Sequence, residues 1–362
     1  MRVLKGPLMK NKTVDRNRII LTVLAATSLA LLIATVIGLV YFNNRIDEYS
    51  SGGNEKINQY KYVYAFIADD TFDTLSDSLY KDMVEYGKTN DCFVERVGSG
   101  LAANYTKQEL FNIAIYSKVD GIIVQGDGTK ETDALIDKAD KAGIPVVTVL
   151  TDNNSSARKS FIAMDDYGVG TDYSTQIMNI ARDSGKQMGD TVNVLVVMNS
   201  QYSNQNTILS AIQAKAATAN PTGPQIKIST ENITSTTAFS IQESVKDLLD
   251  NYTVLPDVIV CLSDIITRSV NQCIVESSRV GNTKILGYYD SDTVIKAIER
   301  GSIQATFTVA TEQMAKYCVD ALNEYKTMGN VSSYFSTDYE MVTINTLATR
   351  QQNGGKGKNE ED

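Results

Sequence analysis

The chain has 362 residues with 34 basic and 43 acidic side chains, a net charge of −9, and it contains no histidine and no tryptophan. Six of the basic residues (Arg2, Lys5, Lys10, Lys12, Arg16, Arg18) fall in the first 18 against Asp15 alone, so the remainder carries 28 basic against 42 acidic residues. An acidic body argues against nucleic acid as a partner, and the lack of histidine removes Ser-His-Asp and Cys-His nucleophile systems and most catalytic zinc sites.

Ile19 to Phe42 is a 24-residue run without a charge. As a helix it would span about 36 Å, against roughly 30 Å of bilayer hydrocarbon. With the basic cluster before it and Asp47 and Glu48 after it, the positive-inside bias predicts one transmembrane helix over 19–42. The N-terminal tail 1–18 would then be cytoplasmic and residues from 43 onward extracytoplasmic. A cleaved signal peptide is the competing reading, but its apolar region is ordinarily shorter. Residues 43–59 read as a stalk, with Ser50-Ser51-Gly52-Gly53 as its flexible part.

Strand-like apolar runs then recur every 25–30 residues or so, at 61–68, 92–97, 121–125 and 144–149, with helix-like stretches at 74–88, 106–117 and 130–142 between them. The alternation repeats with strands at 192–198, 225–229, 257–262 and 284–288 and helices at 203–219, 237–250, 265–279 and 292–300. Gly143 and Gly281 sit where helix C-caps belong, and Pro145 and Pro256 stand at strand starts. This pattern predicts an α/β protein of two doubly wound parallel-sheet lobes. Residues 349–362, rich in glycine and charge, read as disordered.

In open α/β sheets ligands bind beyond the carboxyl ends of the strands. Those ends carry Asp69, Asp70, Thr71 and Phe72; Gly126-Asp127-Gly128; Thr151 and Asp152; Asn204, Gln205 and Asn206; Ser263 and Asp264; and Tyr289 and Asp290. Asp and Asn answer sugar hydroxyls with paired hydrogen bonds, and Phe72, Tyr202 or Tyr289 could cover the apolar face of a ring. Asp73, Asp264 and Asp290 also stand where a helix N-cap is expected, so capping competes with ligand contact at each. The four cysteines lack C-x-x-C spacing and are read as buried free thiols, with a disulfide as the alternative. No dinucleotide or P-loop motif occurs, and no metal or other cofactor is expected.

Lys61–Ala68 followed by Asp69-Asp70-Thr71-Phe72, Val119–Val124, Ala142–Val147, Phe161–Asp166 with Gly168 and Gly170, and Leu286–Asp290 with Ala297-Ile298 together resemble the type I periplasmic binding proteins, ribose- and galactose-binding branch, over about residues 60–348. The resemblance implies a three-segment hinge, with crossings near Met164–Gly168, Thr308–Ala310 and Thr337–Tyr339, and Asp165, Val309 and Asp338 as hinge residues. It implies lobe 1 as 60–164 plus 310–337 and lobe 2 as 165–309 plus 338–348. The family's ligand-binding positions fall on Thr151, Asn206, Ser263 and Tyr289, beside Asp152, Asp264 and Asp290. Several differ in type from the ribose pattern: an Asp-Arg pair aligns with Leu150 and Thr151, an arginine with Asn206, an asparagine with Ser263, an aspartate with Tyr289, and the crossing glutamine with Val309. The implied function is non-enzymatic binding of a small polar solute, a monosaccharide or similar carbohydrate, for an ABC-type sugar importer. The alternative is a membrane-anchored co-receptor that reports a sugar to a histidine kinase or other signalling partner. The expected partners are a sugar-like ligand, the bilayer through residues 19–42, and an ABC permease or a sensor kinase.

Overall fold

The computed structural model describes residues 60–68, 74–99, 105–199, 204–218, 223–235 and 237–349. The expected cytoplasmic tail, membrane span and stalk, and the C-terminal tail beyond Thr349, lie outside these. Among the described residues no helix is long and apolar enough to cross a membrane. From Lys61 onward the chain belongs to one compact unit.

Two six-stranded sheets form the frame. The first joins β1 (Tyr62–Ile67), β2 (Cys92–Arg96), β3 (Gly121–Gln125), β4 (Val146–Val149), β5 (Ser160–Met164) and β11 (Tyr334–Thr337) in the order β2-β1-β3-β4-β5-β11. The second joins β6 (Thr191–Asn199), β7 (Gln225–Ile233), β8 (Val258–Cys261), β9 (Lys284–Leu286), β10 (Ala305–Phe307) and β12 (Met341–Thr343) in the order β7-β6-β8-β9-β10-β12. The two orders are the same. Each reverses direction between its first strand and its third, where an open α/β sheet leaves a crevice. All pairings are parallel except β10 with β12, which is antiparallel.

The strands are buried on both faces because their two side-chain parities feed different cores. In β1, Tyr64 and Phe66 pack beneath α1 (Thr74–Thr89) and α9 (Thr311–Met328). Ala65 and Ile67 face α2 (Lys107–Tyr116) and α3 (Lys130–Lys141). In β6, Val192, Val194 and Val196 meet Ile177 of α4 (Asp166–Asp183) and Ile208 of α5 (Gln205–Thr218). Leu195 and Val197 join the core under α6 (Ala238–Asp250), α7 (Asp264–Glu276) and α8 (Asp292–Glu299). One apolar core therefore runs through both lobes, from Tyr64 and Met83 to Tyr173, Phe307 and Ile212.

The chain passes between the sheets three times: from β5 through α4 to β6, from β10 through α9 to β11, and from β11 to β12. Asp165 caps α4 by accepting from the Gly168 amide at 3.0 Å. In the second crossing Val309 is buried. In the third, Asp338 is exposed and exchanges bonds with Gln313: its amide donates to Oε1 at 2.7 Å, and its Oδ2 accepts from Nε2 at 3.1 Å. Crossings two and three are tied where Thr308 and Glu340 exchange bonds of 2.8 Å.

Helix α4 has no counterpart in the sequence reading. Gly168 and Gly170 dilute its helical pattern, and Gly170 is required by close packing against backbone. A Cβ at Gly170 would stand 2.4 Å from the Ile208 carbonyl of α5, and one at Gly168 would stand 2.5 Å from the Tyr339 hydroxyl. The expected caps at Asp264 and Asp290 are displaced by one residue. The N-caps are Ser263, which accepts from the Ile266 amide, and Ser291. All four cysteines are free thiols.

Candidate functional site

A small cavity of about 30 Å³ lies where the carboxyl ends of the two sheets face each other. Its walls are Leu75, Gln125, Leu150 and Thr151 from the first lobe and Asn204, Gln205, Leu262, Ser263, Asp264 and Tyr288 from the second. That is room for about one or two waters, so the two lobes stand nearly closed on each other.

The first-lobe wall is built by two loops locked together. Asn153, 1 % exposed, accepts from the amides of Asp127 at 2.9 Å and Gly128 at 3.3 Å, and donates to the Thr129 carbonyl at 3.0 Å and the Asp133 carboxylate at 2.9 Å. Thr151 donates its hydroxyl to the Gly126 carbonyl, and the Gly126 amide donates back to Thr151 at 3.1 Å. Asp127 is anchored by Lys107 at 2.7 Å and by the Thr132 hydroxyl at 2.8 Å. Burial alone would raise the Asp127 pKa. The Lys107 ammonium and the Thr129 amide outweigh it and hold the carboxyl at about 2.

This lock holds Gln125, which is 2 % exposed and whose Nε2 finds no hydrogen-bond partner among the described residues. A buried amide donor left unpaired costs about 1–3 kcal/mol. Its place in the cavity wall makes it available to an acceptor on a bound molecule.

The second-lobe wall is held mainly by bonds within its own lobe. Gln205 accepts from the Asn199 amide at 2.7 Å and donates to the Leu262 carbonyl at 2.8 Å, bridging the ends of β6 and β8. Asn204 donates to Asp166 at 3.1 Å. Burial pushes the half-buried Asp166 carboxyl up to about 7, the Asp165 carboxylate adds to this, and the Asn204 bond only partly offsets it. The Asp264 side chain is fully buried and accepts from Arg268 Nε at 2.8 Å, from Ser291 Oγ at 2.9 Å and from the Thr74 hydroxyl on the opposite lobe. Leu150 and Tyr289 both have φ in the left-handed region, +65° and +69°, where a bulky side chain is strained. Such strain gathers at functional sites.

The structure brings together Thr151, Ser263 and Asp264 among the residues anticipated from the sequence. Asp152 lies outside the described lining, paired with Arg158 through bonds of 2.5 and 2.7 Å. Asn206 is exposed on the first turn of α5, one residue past the cavity-lining Asn204 and Gln205. Tyr289 directs its hydroxyl to Ser78 on the other lobe at 2.8 Å, and its neighbour Tyr288 faces the cavity. Asp290 is half-buried beside α8 and is not part of the described lining. Asp69, Asp70 and Phe72 lie outside the described residues. Gln125 was missed, although a polar residue ending the all-buried strand GIIVQ is the signal that marks it.

Residues 64–330 match the family model described as periplasmic binding protein domain. Solved structures resemble the chain over most of its length. A glucose-galactose binding protein, GanP, from Geobacillus stearothermophilus is 20 % identical at a TM-score of 0.68, covering 79 % of this chain and 98 % of that one. An ABC transporter solute binding protein from Burkholderia graminis, in complex with D-arabinose, is 18 % identical at 0.68, covering 80 % and 98 %. The XylFII-LytSN complex matches at 19 % identity and 0.66, covering 79 % and 98 %. At these identities the likeness carries the fold alone. No curated protein matches in sequence.

Proposed function

The chain belongs to the periplasmic binding protein family, and from that premise we propose that it binds a small neutral carbohydrate, a monosaccharide or close relative, between its lobes. As a member of that family it is a binding protein and not an enzyme. The observation that carries the carbohydrate reading is the wall composition. Among the described lining residues, Gln125, Thr151, Asn204, Gln205 and Ser263 are uncharged hydrogen-bonding groups, and the one carboxylate, Asp264, is paired with Arg268. Leu75, Leu150, Leu262 and Tyr288 supply apolar surface for the C–H faces of a ring. Neutral donors and acceptors interleaved with apolar surface suit a polyol and disfavour an ion. The sugars seen with solved neighbours, D-arabinose and D-fucose, are of this class.

On this reading lobe 1 comprises 60–164 with 310–337, lobe 2 comprises 165–309 with 338–348, and residues 19–42 hold the domain on the extracytoplasmic side of a membrane. The role is delivery of the sugar to an ABC-type importer, as in the neighbours described as ABC transporter solute binding proteins. A second reading, sensory co-receptor for a membrane partner such as a histidine kinase, is favoured by the XylFII-LytSN complex, in which a protein of this fold is joined to another protein.

Thermal unfolding of the purified chain with D-arabinose, D-fucose, D-galactose, D-glucose, other pentoses and polyols tests the ligand class. A sugar present at about 100 times its Kd is expected to stabilise the fold by about 2.7 kcal/mol. No shift with any sugar, alongside a shift with an amino acid or a charged metabolite, rules the carbohydrate out.

A further inference from the structure

Among the described residues, hydrogen bonds cross the cleft at two places on one helix without involving any ligand. On the first two turns of α1, Thr74 donates to the Asp264 carboxylate, and Ser78 accepts from the Tyr289 hydroxyl at 2.8 Å. Leu75, between them, is 4 % exposed and forms part of the cavity wall, whereas Thr74 and Ser78 do not line it.

Both second-lobe partners are also held by bonds within their own lobe. Asp264 is oriented by Arg268 and Ser291, both in its own lobe. Tyr289 is held at its carbonyl by the Thr306 hydroxyl at 2.9 Å. Both first-lobe partners sit one turn apart on the rigid α1 helix, which packs into the core through Leu75, Leu79 and Met83. Groups held in place on both sides lose little freedom on meeting, so their bonds act directly on the equilibrium between open and closed forms. The bond to Asp264 has an ionised acceptor and is of the stronger kind.

We propose that Thr74 and Ser78 set the affinity and bound lifetime of the ligand without touching it, by latching Asp264 and Tyr289 across the cleft. The proposal rests on the binding reading above for its effect on affinity, but the latch itself can be measured with no ligand present. A ligand held only by the closed form binds with its intrinsic affinity reduced by the fraction of protein that is closed. Losing the latch lowers that fraction. Because the latch also holds the liganded form shut, most of the loss falls on release.

The test uses the full chain with Thr74→Val and Ser78→Ala, singly and together, and Thr74→Ser as the variant that keeps the hydroxyl. Spin labels at Lys81→Cys on α1 and Lys296→Cys on α8, in a Cys273→Ser background, report lobe separation by pulsed EPR without ligand. The double variant is expected to shift the distances longer, and Thr74→Ser to match the parent. With D-arabinose, D-galactose and D-glucose as probes in stopped flow, release from the double variant should be at least about 10-fold faster, equivalent to about 1.4 kcal/mol, with capture within about twofold. Unchanged distances in the double variant overturn the latch, as does a Thr74→Ser variant that opens like Thr74→Val. If none of the three sugars binds the parent, the carbohydrate reading fails for them while the distances still decide the latch.

Discussion

The Asn153 side-chain carbonyl accepts the amide proton of Asp127 at 2.9 Å, joining the loop after β4 to the loop after β3. The same side chain also uses its NH2 group on Thr129 and Asp133, so every direction of the amide is occupied. Asn153→Ala removes these bonds at a site 1 % exposed and strands the Asp127 and Gly128 amides. A loss of about 2–4 kcal/mol is expected in urea unfolding. Asn153→Asp should be no better, because a carboxylate cannot donate to Thr129 and would face Asp133.

Lys107 and Asp127 make the fold sensitive to acid. The folded Asp127 carboxyl lies at about 2, below an unfolded value of about 3.9. Its stabilising contribution is therefore complete above the unfolded value and is lost as pH falls through the folded one. Lys107→Met is expected to cost about 1–2 kcal/mol at pH 7, with the gap between variant and parent closing towards pH 2. Urea unfolding across that range checks it.

The sheets were legible because hydrophobic runs such as GIIVQ and VNVLVVM are long enough to betray strands buried on both faces. Helix α4 was not, because Gly168 and Gly170 dilute its pattern, and Gly170 is there for the close approach of α5, a tertiary requirement that no local pattern displays. The cavity was half legible. Strand ends marked the right loops, but which residue of each loop turns inward depends on register and backbone strain. Tyr288 rather than Tyr289 faces the cavity, next to a tyrosine held at φ +69°. Asp152 stands at a strand end as expected, but its carboxylate is paired with Arg158, six residues on, which spacing alone does not display.

Asp166 shapes stability in the opposite pH range. Its carboxyl is raised to about 7 in the folded chain, well above the unfolded value of about 3.9. The folded state keeps this proton longer, so the associated stability is full below about pH 4 and is lost as pH rises through 7. Asp166→Asn retains an acceptor for Asn204 and never ionises. It is expected to exceed the parent by on the order of 2–4 kcal/mol at pH 8, with the advantage fading below pH 4. Equal pH slopes for the two proteins in urea unfolding would contradict this assignment.

Thiol chemistry should follow burial. Cys261 and Cys318 have no exposed surface, and burial pushes both thiols far above their usual range. Cys92 is 1 % exposed and Cys273 only partly covered. A maleimide added to the native chain is expected to modify Cys273 first, with the other three reacting only as the protein unfolds. Peptide mapping by mass spectrometry at timed intervals would read the order.

Gln125 separates stability from binding. It is 2 % exposed, and its Nε2 is a buried donor without a partner among the described residues. Removing an unpaired buried donor relieves its desolvation cost, so Gln125→Leu should gain about 0.5–2 kcal/mol of stability in the ligand-free chain. The same change takes away a donor that a sugar oxygen would meet and leaves that oxygen buried against a methyl group, so affinity should fall by at least about 30-fold, or roughly 2 kcal/mol. A side chain with a purely structural role would lose stability and leave affinity alone. The two quantities are therefore expected to move in opposite directions, as measured by urea unfolding and by calorimetric titration with the sugar that shifts the parent most.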